Sequence, residues 1–132
     1  MTAALGTIHP WLGYLVSVVA LGSAMVAFRS AKDASEFRAG PYSTAMVLLD
    51  IQVTLGLVLY AVGGYWEARP EVAYLHPALA LAALGIGHGL VGRAKRTQLA
   101  VEAHRSAGRG LLGALLFVLL SIGVASAPPF LP

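Results

Sequence analysis

Four histidines are the residues of this chain whose types and spacing could carry chemistry, because other polar side chains are scarce in its long apolar segments. His9 and His76 each precede a proline, and each begins such a segment. If the segments are membrane spans, the two imidazoles lie at one depth. Two neutral imidazoles at one level on facing helices meet the requirement for bis-histidine ligation of a b-type haem. The alternative is that each histidine lies at the membrane interface before a helix-starting proline.

A second group of polar residues lies in the interior of the second and third segments. Asp50 is the only acidic residue well inside an apolar segment, and Gln52 follows two residues later. His88, which is flanked by glycines, lies at a similar depth in the next segment, so a hydrogen bond to Asp50 is geometrically allowed. Asp50 and His88 could form a proton site, an acid orienting a metal-binding histidine, or a buried polar pair joining two helices. His88 is also the substitute haem ligand, with Asp50 and Gln52 as its supporting residues.

The remaining candidates are weaker, and several chemistries are excluded. His104 lies in a basic segment beside Glu102 and Arg105, where a solvated loop position is expected and a ligand role beside the beginning of the fourth segment is the alternative. Arg69 is the cation that could pair with a haem propionate. The chain has no cysteine, so disulfides, thiolate metal sites, iron–sulfur clusters and covalently attached haem are excluded. No nucleophile elbow, phosphate-binding loop, HExxH or nucleic-acid-binding pattern is present.

The composition predicts the environment in which these side chains act. The chain has 132 residues, of which 58% are hydrophobic and only 11% are charged. An ordinary soluble domain carries about 25% charged residues. A disordered chain is excluded by the hydrophobicity, and the apolar surplus exceeds what one small soluble core could hide. We therefore expect an integral membrane protein.

Four apolar segments are each long enough to cross about 30 Å of hydrocarbon at about 1.5 Å per residue. They run from about residue 9 to 28, 43 to 63, 75 to 92 and 108 to 125. No alternating barrel pattern is visible, so the segments are predicted to be helices. Pro128, Pro129 and Pro132 prevent the last helix from continuing. The predicted fold is an all-α integral membrane four-helix bundle with antiparallel up-down topology, forming one domain over residues 1–132.

The loop charges predict the orientation of the bundle. Eight of the nine basic residues lie in the first and third predicted loops, which face the same side. The positive-inside rule places these loops in the cytoplasm and both termini outside, in the inner membrane of a bacterium. The opposite helix ends carry the aromatic residues of an interfacial belt, which are Trp11, Tyr14, Tyr60, Tyr65, Trp66 and Tyr74.

Two weaker patterns concern helix packing. Gly85 and Gly89 form a GxxxG pair, which is expected to be a close-packing seam within the bundle, with a specific dimer face as the alternative. A shift of 67 residues superposes the first segment on the third, with His9 on His76 and Gly22 on Gly89. The match is either chance between apolar helices or a parallel repeat of two helical hairpins, in which the two His-Pro corners face each other.

The segment Leu49–Tyr60 contains the spacing Asp50-x-Gln52-x-x-x-Gly56-x-x-x-Tyr60. This spacing resembles the second-helix motif of small four-helix bacterial membrane proteins described as "cytochrome b-like". These proteins are also similar to this chain in four other features: an early histidine before an aromatic residue, a histidine opening an Ala-rich third helix, a basic third loop, and prolines after the fourth span. The resemblance implies a membrane-held haem b and electron transfer. A fainter resemblance is to one four-helix half of haem A synthase, although this chain has only half that size.

The resulting hypothesis is a membrane protein that binds haem b non-covalently and passes electrons rather than transforming a substrate. His9 and His76 are its first-choice ligands. A cofactor-free accessory or scaffold subunit of a larger respiratory or other membrane complex, or a homodimer, is the second hypothesis. The third is a small proton-coupled transporter that uses Asp50 and His88. The lipid bilayer is the expected surrounding in all three cases, and nucleic acid is not an expected partner.

Overall fold

The computed structural model describes residues 2–128, and within this range the chain is all-α with four long helices and no strand. The helices are α1 (Thr2–Lys32), α2 (Gly40–Gly63), α3 (His76–Arg96) and α4 (Ala100–Ser126). A short 3₁₀ turn and a single π-helical turn lie between α2 and α3, and the latter runs directly into α3. The four predicted apolar segments are therefore confirmed as helices. The last helix ends before Pro128, whereas Pro129 and Pro132 lie outside the described residues.

Two predicted helix boundaries are wrong. The predicted third loop is reduced to residues 97–99, because α3 continues to Arg96 and α4 already begins at Ala100. The charged residues of that segment are helical, and Arg105 pairs with Glu102 one turn earlier at 3.0 Å. This i,i+3 pairing supports helix in a sequence whose charge suggested a loop. At the other end of the bundle α1 begins at Thr2, so Pro10 lies inside the helix rather than at its start.

Small side chains fill most of the contacts between the helices. α1 packs against α2 and α4, and α3 packs closely against α4 but more lightly against α2. Several core alanines are fully buried, and small side chains allow helix backbones to approach closely. These alanines are Ala24, Ala27, Ala83, Ala94, Ala103 and Ala107. Of the helix pairs that pack side by side in the described chain, α2 and α3 make the least extensive contact, and this contact is called the α2–α3 seam below.

Glycines allow the close contact of α3 with α4, but they are not the glycines of the GxxxG pair. A methyl group on Gly110 would lie 2.9 Å from Leu90 Cβ and 3.3 Å from the backbone nitrogen of Val91. Gly85 and Gly89 are exposed, and a methyl group on either would meet nothing within 4 Å. The prediction that this pair forms a seam inside the bundle is therefore wrong, because both residues face outward from α3.

Candidate functional site

A cavity of about 420 Å³ lies at one end of the bundle and is lined by residues from all four long helices. The lining comes from the early part of α1, the second half of α2, the beginning of α3 and the last turns of α4. Most of these side chains are apolar. The polar ones include His9, Gln52, His76 and Ser121. The size is typical of a small-molecule or cofactor site, and so is an apolar lining with a few polar groups.

His9 is held by α2 through two different contacts, one to its backbone and one to its ring. Gln52 Nε2 donates a hydrogen bond to the His9 carbonyl oxygen at 3.0 Å, which fixes the backbone at this position. The imidazole packs against Gly56, where a Cβ atom would lie only 2.8 Å from His9 Cε1. Gly56 is therefore required as glycine for this ring position. His9 Nδ1 is buried and has no hydrogen-bond partner.

His76 is held by Ser121 of α4 through three polar contacts. His76 Nδ1 lies 2.9 Å from the Ser121 carbonyl oxygen and 2.8 Å from the Ser121 hydroxyl oxygen, and this hydroxyl oxygen lies 3.1 Å from the His76 carbonyl oxygen. When Nδ1 bonds to the carbonyl oxygen, which can only accept, Nδ1 carries the hydrogen. In the neutral imidazole the lone pair then belongs to Nε2. Metal-binding histidines commonly have this arrangement, in which one ring nitrogen is anchored to a carbonyl and the other is left for the metal.

The two imidazoles approach each other across the cavity. Their ring centroids are 6.1 Å apart, with an angle of 78° between the ring planes. The helices that carry them, α1 and α3, do not pack directly against each other, so the space between them belongs to the cavity. Two metal–imidazole bonds of about 2.0–2.1 Å on opposite sides of one ion would set the ring centroids about 6 Å apart. The observed centroid separation of 6.1 Å is close to this value.

The two imidazoles are a donor set that haem could use. No group of three or more His, Cys, Asp or Glu residues that could hold a metal occurs among residues 2–128. A porphyrin supplies four of the six nitrogen ligands of its iron, so the protein needs to supply only two. His9 Nδ1 and Gln52 Oε1 are both buried without a hydrogen-bond partner, so polar groups beside the cavity are left unsatisfied by the chain itself.

Asp50 and His88 form the predicted hydrogen bond, but away from the cavity. His88 Nε2 donates to Asp50 Oδ1 at 2.6 Å, which is the short distance of a charge-assisted bond. The side chains are 55% and 42% exposed for His88 and Asp50, respectively. The prediction of a hydrogen bond is confirmed, whereas the interpretation as a buried pair is wrong, because the pair lies on the open α2–α3 seam. Neither residue lines the cavity.

His104 contradicts the prediction of a solvated loop residue, since it is in α4 and only 2% exposed. Its Nε2 donates to the Ser35 carbonyl oxygen at 3.2 Å, and its Nδ1 accepts from the Tyr42 hydroxyl at 2.8 Å. Phe37 packs edge-on against the imidazole with ring centroids 5.2 Å apart. Both ring nitrogens are occupied, so His104 joins the first loop and α2 to α4 at the end of the bundle opposite the cavity.

Arg69 lies near the cavity end but has a structural role there. Its Nη2 donates to the carbonyl oxygens of Val124 and Ala125 at 3.1 and 3.0 Å. These carbonyls belong to the last turn of α4, where a cation is also favoured by the helix dipole. Arg69 is not among the cavity-lining residues. Its pairing with a haem propionate stays a prediction.

Sequence reasoning did not find two residues that shape the site. Ser121 was not identified, because a serine in an apolar helix gives no signal until its neighbour is known. Gly56 belongs to the motif quoted above, but its role depends on the His9 ring from another helix. A Cβ on Gly13 of α1 would lie 3.1 Å from Gln52 Nε2, so this glycine also faces a polar residue of α2. A glycine that faces a polar residue of a neighbouring helix, as Gly56 faces His9, is a sequence signal that could have indicated these close contacts.

Comparisons with protein-family models, curated proteins and solved structures found no match to this chain.

Proposed function

We propose that this chain is a membrane-spanning four-helix protein that binds haem b in the cavity, with His9 and His76 as axial ligands, and that it transfers electrons. The single observation that carries the proposal is the pair of imidazoles 6.1 Å apart across a cavity lined by all four long helices. The contacts of Ser121 with His76 Nδ1, which leave Nε2 without a hydrogen-bond partner on Ser121, and the unpartnered Nδ1 of His9 support it. The resemblance to "cytochrome b-like" proteins suggests the same cofactor.

The helix surfaces support membrane insertion. The helices α1, α2 and α4, and α3 together with the π-helical turn before it, are long and apolar enough to cross a membrane, with mean hydropathies between 1.4 and 2.0 over their most apolar windows. Large hydrophobic side chains point outward along each of them, and examples are Leu15, Val47, Leu81 and Leu119. In water this surface would be an aggregation liability, whereas hydrocarbon makes it favourable.

The distribution of residues at the two ends supports an antiparallel topology with the cavity end outside. The cavity combines the beginnings of α1 and α3 with the ends of α2 and α4. Exposed aromatic residues such as Trp11 and Tyr74 lie at this end. The last turns of α1 and α3 carry the basic residues Arg29, Lys32, Arg93, Lys95 and Arg96. The positive-inside rule assigns these basic ends to the cytoplasm of an inner membrane and both termini to the opposite side.

The residues of the chain itself would prepare the site before any cofactor arrives. Gln52 and Gly56 set the position of the His9 ring, and Ser121 orients His76, so little reorganisation is needed on binding. The apolar lining excludes water, and a low dielectric around the iron is one of the factors that set its reduction potential. Bound haem supplies one-electron chemistry. His9 and His76 would hold the haem from two sides, and a haem held by two histidines would serve electron transfer.

The proposal is tested by the absorption spectrum of the protein purified in detergent after expression with added haem precursor. A Soret band with the sharp visible bands of low-spin iron is expected. His9→Ala and His76→Ala should each abolish the low-spin spectrum, while His104→Ala serves as a matched control whose imidazole is buried at the opposite end. A purified protein without a Soret band, or unchanged spectra in both variants, would contradict the proposal. Such a protein would instead fit a cofactor-free accessory subunit.

A second candidate function, proton-coupled transport, is favoured by the short Asp50–His88 hydrogen bond. An acid and a histidine joined by a hydrogen bond near the middle of two helices are the residue types that proton relays in membrane proteins use. The measurement is proton flux into liposomes that contain the purified protein. Flux that is abolished in Asp50→Asn would support this candidate, and the absence of flux in the unaltered protein would dismiss it.

A further inference from the structure

The Asp50–His88 pair lies where a membrane-spanning monomer would expose it to lipid. Asp50 is ten residues beyond the beginning of α2 at Gly40, which corresponds to about 15 Å along the helix. His88 is eight residues before the end of α3 at Arg96, or about 12 Å. Both residues thus lie near the middle of their helices. About half of each side chain is nevertheless exposed at the surface of the bundle.

Hydrocarbon is a poor covering for this pair. Ionisable residues within membrane spans almost always face the interior of a bundle or a water-filled cavity, because lipid offers neither hydrogen bonds nor a high dielectric. The cavity of this protein does not extend to Asp50 or His88. The α2–α3 seam is loosely packed, so the bundle does not close over the pair. Some other polar or protein surface must therefore cover it.

The surface around the pair is shaped for a helix to approach closely. Gly85 and Gly89 flank His88 on the exposed side of α3, and nothing lies within 4 Å of a methyl group built on either residue. This spacing forms a shallow groove in which the backbone of another helix can reach that of α3. The neighbouring exposed side chains, Val47 and Ile51 of α2, are apolar and suited to the same contact.

We propose that this face, defined by Asp50, Gly85, His88 and Gly89, binds a second copy of the chain in a two-fold symmetric dimer. A two-fold interface brings the same patch of both copies together, so the patch must be complementary to itself. A patch that carries a carboxylate and an imidazole can meet this condition, because two-fold symmetry can place the carboxylate of one copy opposite the imidazole of the other while the bond from His88 Nε2 to Asp50 Oδ1 is kept within each copy. The dimer would bury both pairs and surround them with helix. The inference rests on the proposed membrane insertion but not on the binding of haem.

The absence of cysteine allows a direct test by single-cysteine cross-linking in native membranes and liposomes. Gly89→Cys is expected to form a disulfide-linked dimer on mild oxidation. Gly22→Cys is the matched control, because Gly22 is an exposed glycine of α1 with nothing within 4 Å of an added methyl group. Equal cross-linking at both positions would overturn the proposal, as would a Gly89→Cys product whose mass shows a different protein as the partner.

The affinity of the dimer provides a second, independent measurement on the purified protein. Gly89→Leu and Asp50→Asn should each raise the dimer dissociation constant at least tenfold in detergent or bilayers, whereas Gly22→Leu should leave it unchanged. A protein that stays monomeric at all concentrations would refute the dimer. Free reaction of the Gly89→Cys thiol with a membrane-impermeant maleimide would refute it as well, because this position would then face water. Retention in the membrane during alkaline carbonate extraction tests the shared premise. A membrane-embedded dimer without a Soret band would contradict only the haem proposal.

Discussion

Gly56→Ala is the perturbation that tests the geometry of the cavity most directly. The added Cβ would lie 2.8 Å from His9 Cε1, 3.4 Å from Nε2 and 3.5 Å from Nδ1, so the methyl group meets the imidazole and nothing else as closely. The His9 backbone is held by Gln52. The ring must therefore turn away from α2 toward the cavity, because this is the direction in which there is space.

The size of the effect follows from these distances. The ring must move by about 0.6 Å to reach the 3.4 Å at which ordinary contacts begin. Metal–ligand distances tolerate only about 0.2 Å, so a displacement of this size cannot leave the bond to His9 unchanged. We expect haem affinity to fall at least about tenfold, which corresponds to about 1.4 kcal/mol. The stability of the protein without haem should change little. The ring can move into the cavity, and the preference of alanine for helix, about 1 kcal/mol over glycine, offsets the cost of that movement.

The assay is a titration of the cofactor-free protein with haem, followed at the Soret band. Gly22→Ala is the control, because it makes the same exchange in an exposed helical position with no neighbour within 4 Å. Gly56→Ala should bind more weakly or with a high-spin spectrum, while Gly22→Ala should match the unaltered protein. Equal affinity and an identical low-spin spectrum in Gly56→Ala would refute the assignment of His9 as a ligand.

Three further predictions concern the hydrogen bonds that hold the helices and the site. Ser121→Ala removes the hydroxyl beside His76 but keeps the carbonyl contact, so haem affinity should fall by about 10-fold, the lower end for residues that support a ligand, in the same titration. Tyr42→Phe leaves His104 Nδ1 without its donor and should cost about 1–3 kcal/mol in thermal unfolding, with an unchanged haem spectrum. Arg69→Ala releases two carbonyl oxygens at the end of α4, so amide hydrogen exchange should accelerate in the final turn of α4 and not at Val91.

The sequence predicted the elements that depend on local composition and missed those that depend on neighbouring helices. The four apolar segments became four helices because hydropathy and length act within one segment. The segment after α3 was read as a loop from its charge, although Glu102 and Arg105 pair along a helix. The burial of His104 could not be predicted, since it depends on Tyr42 and on the backbone of Ser35. Only the folded chain brings these groups together.

The same distinction applies to the candidate site. The proline dipeptides predicted that His9 and His76 share one level, and their rings do approach each other. Part of the reasoning behind this prediction was wrong, because it placed Pro10 at the beginning of a helix, whereas Pro10 lies inside α1. The depth of Asp50 and His88 was sufficient to predict their hydrogen bond. Their exposure was not predictable, because it depends on how tightly α2 packs against α3.

His9 offers a final test of whether the site is arranged for binding rather than for stability. Its Nδ1 is buried without a partner, and an unsatisfied buried group of this kind costs about 1–3 kcal/mol. An apolar residue of similar size would avoid this cost, and the bond from Gln52 would survive because it ends on the backbone. His9→Leu should therefore unfold at a higher temperature than the unaltered protein when neither holds haem, while haem binding is lost. If the variant is less stable, the imidazole contributes to the fold through its own contacts, and the cost assigned to its unpartnered nitrogen is wrong.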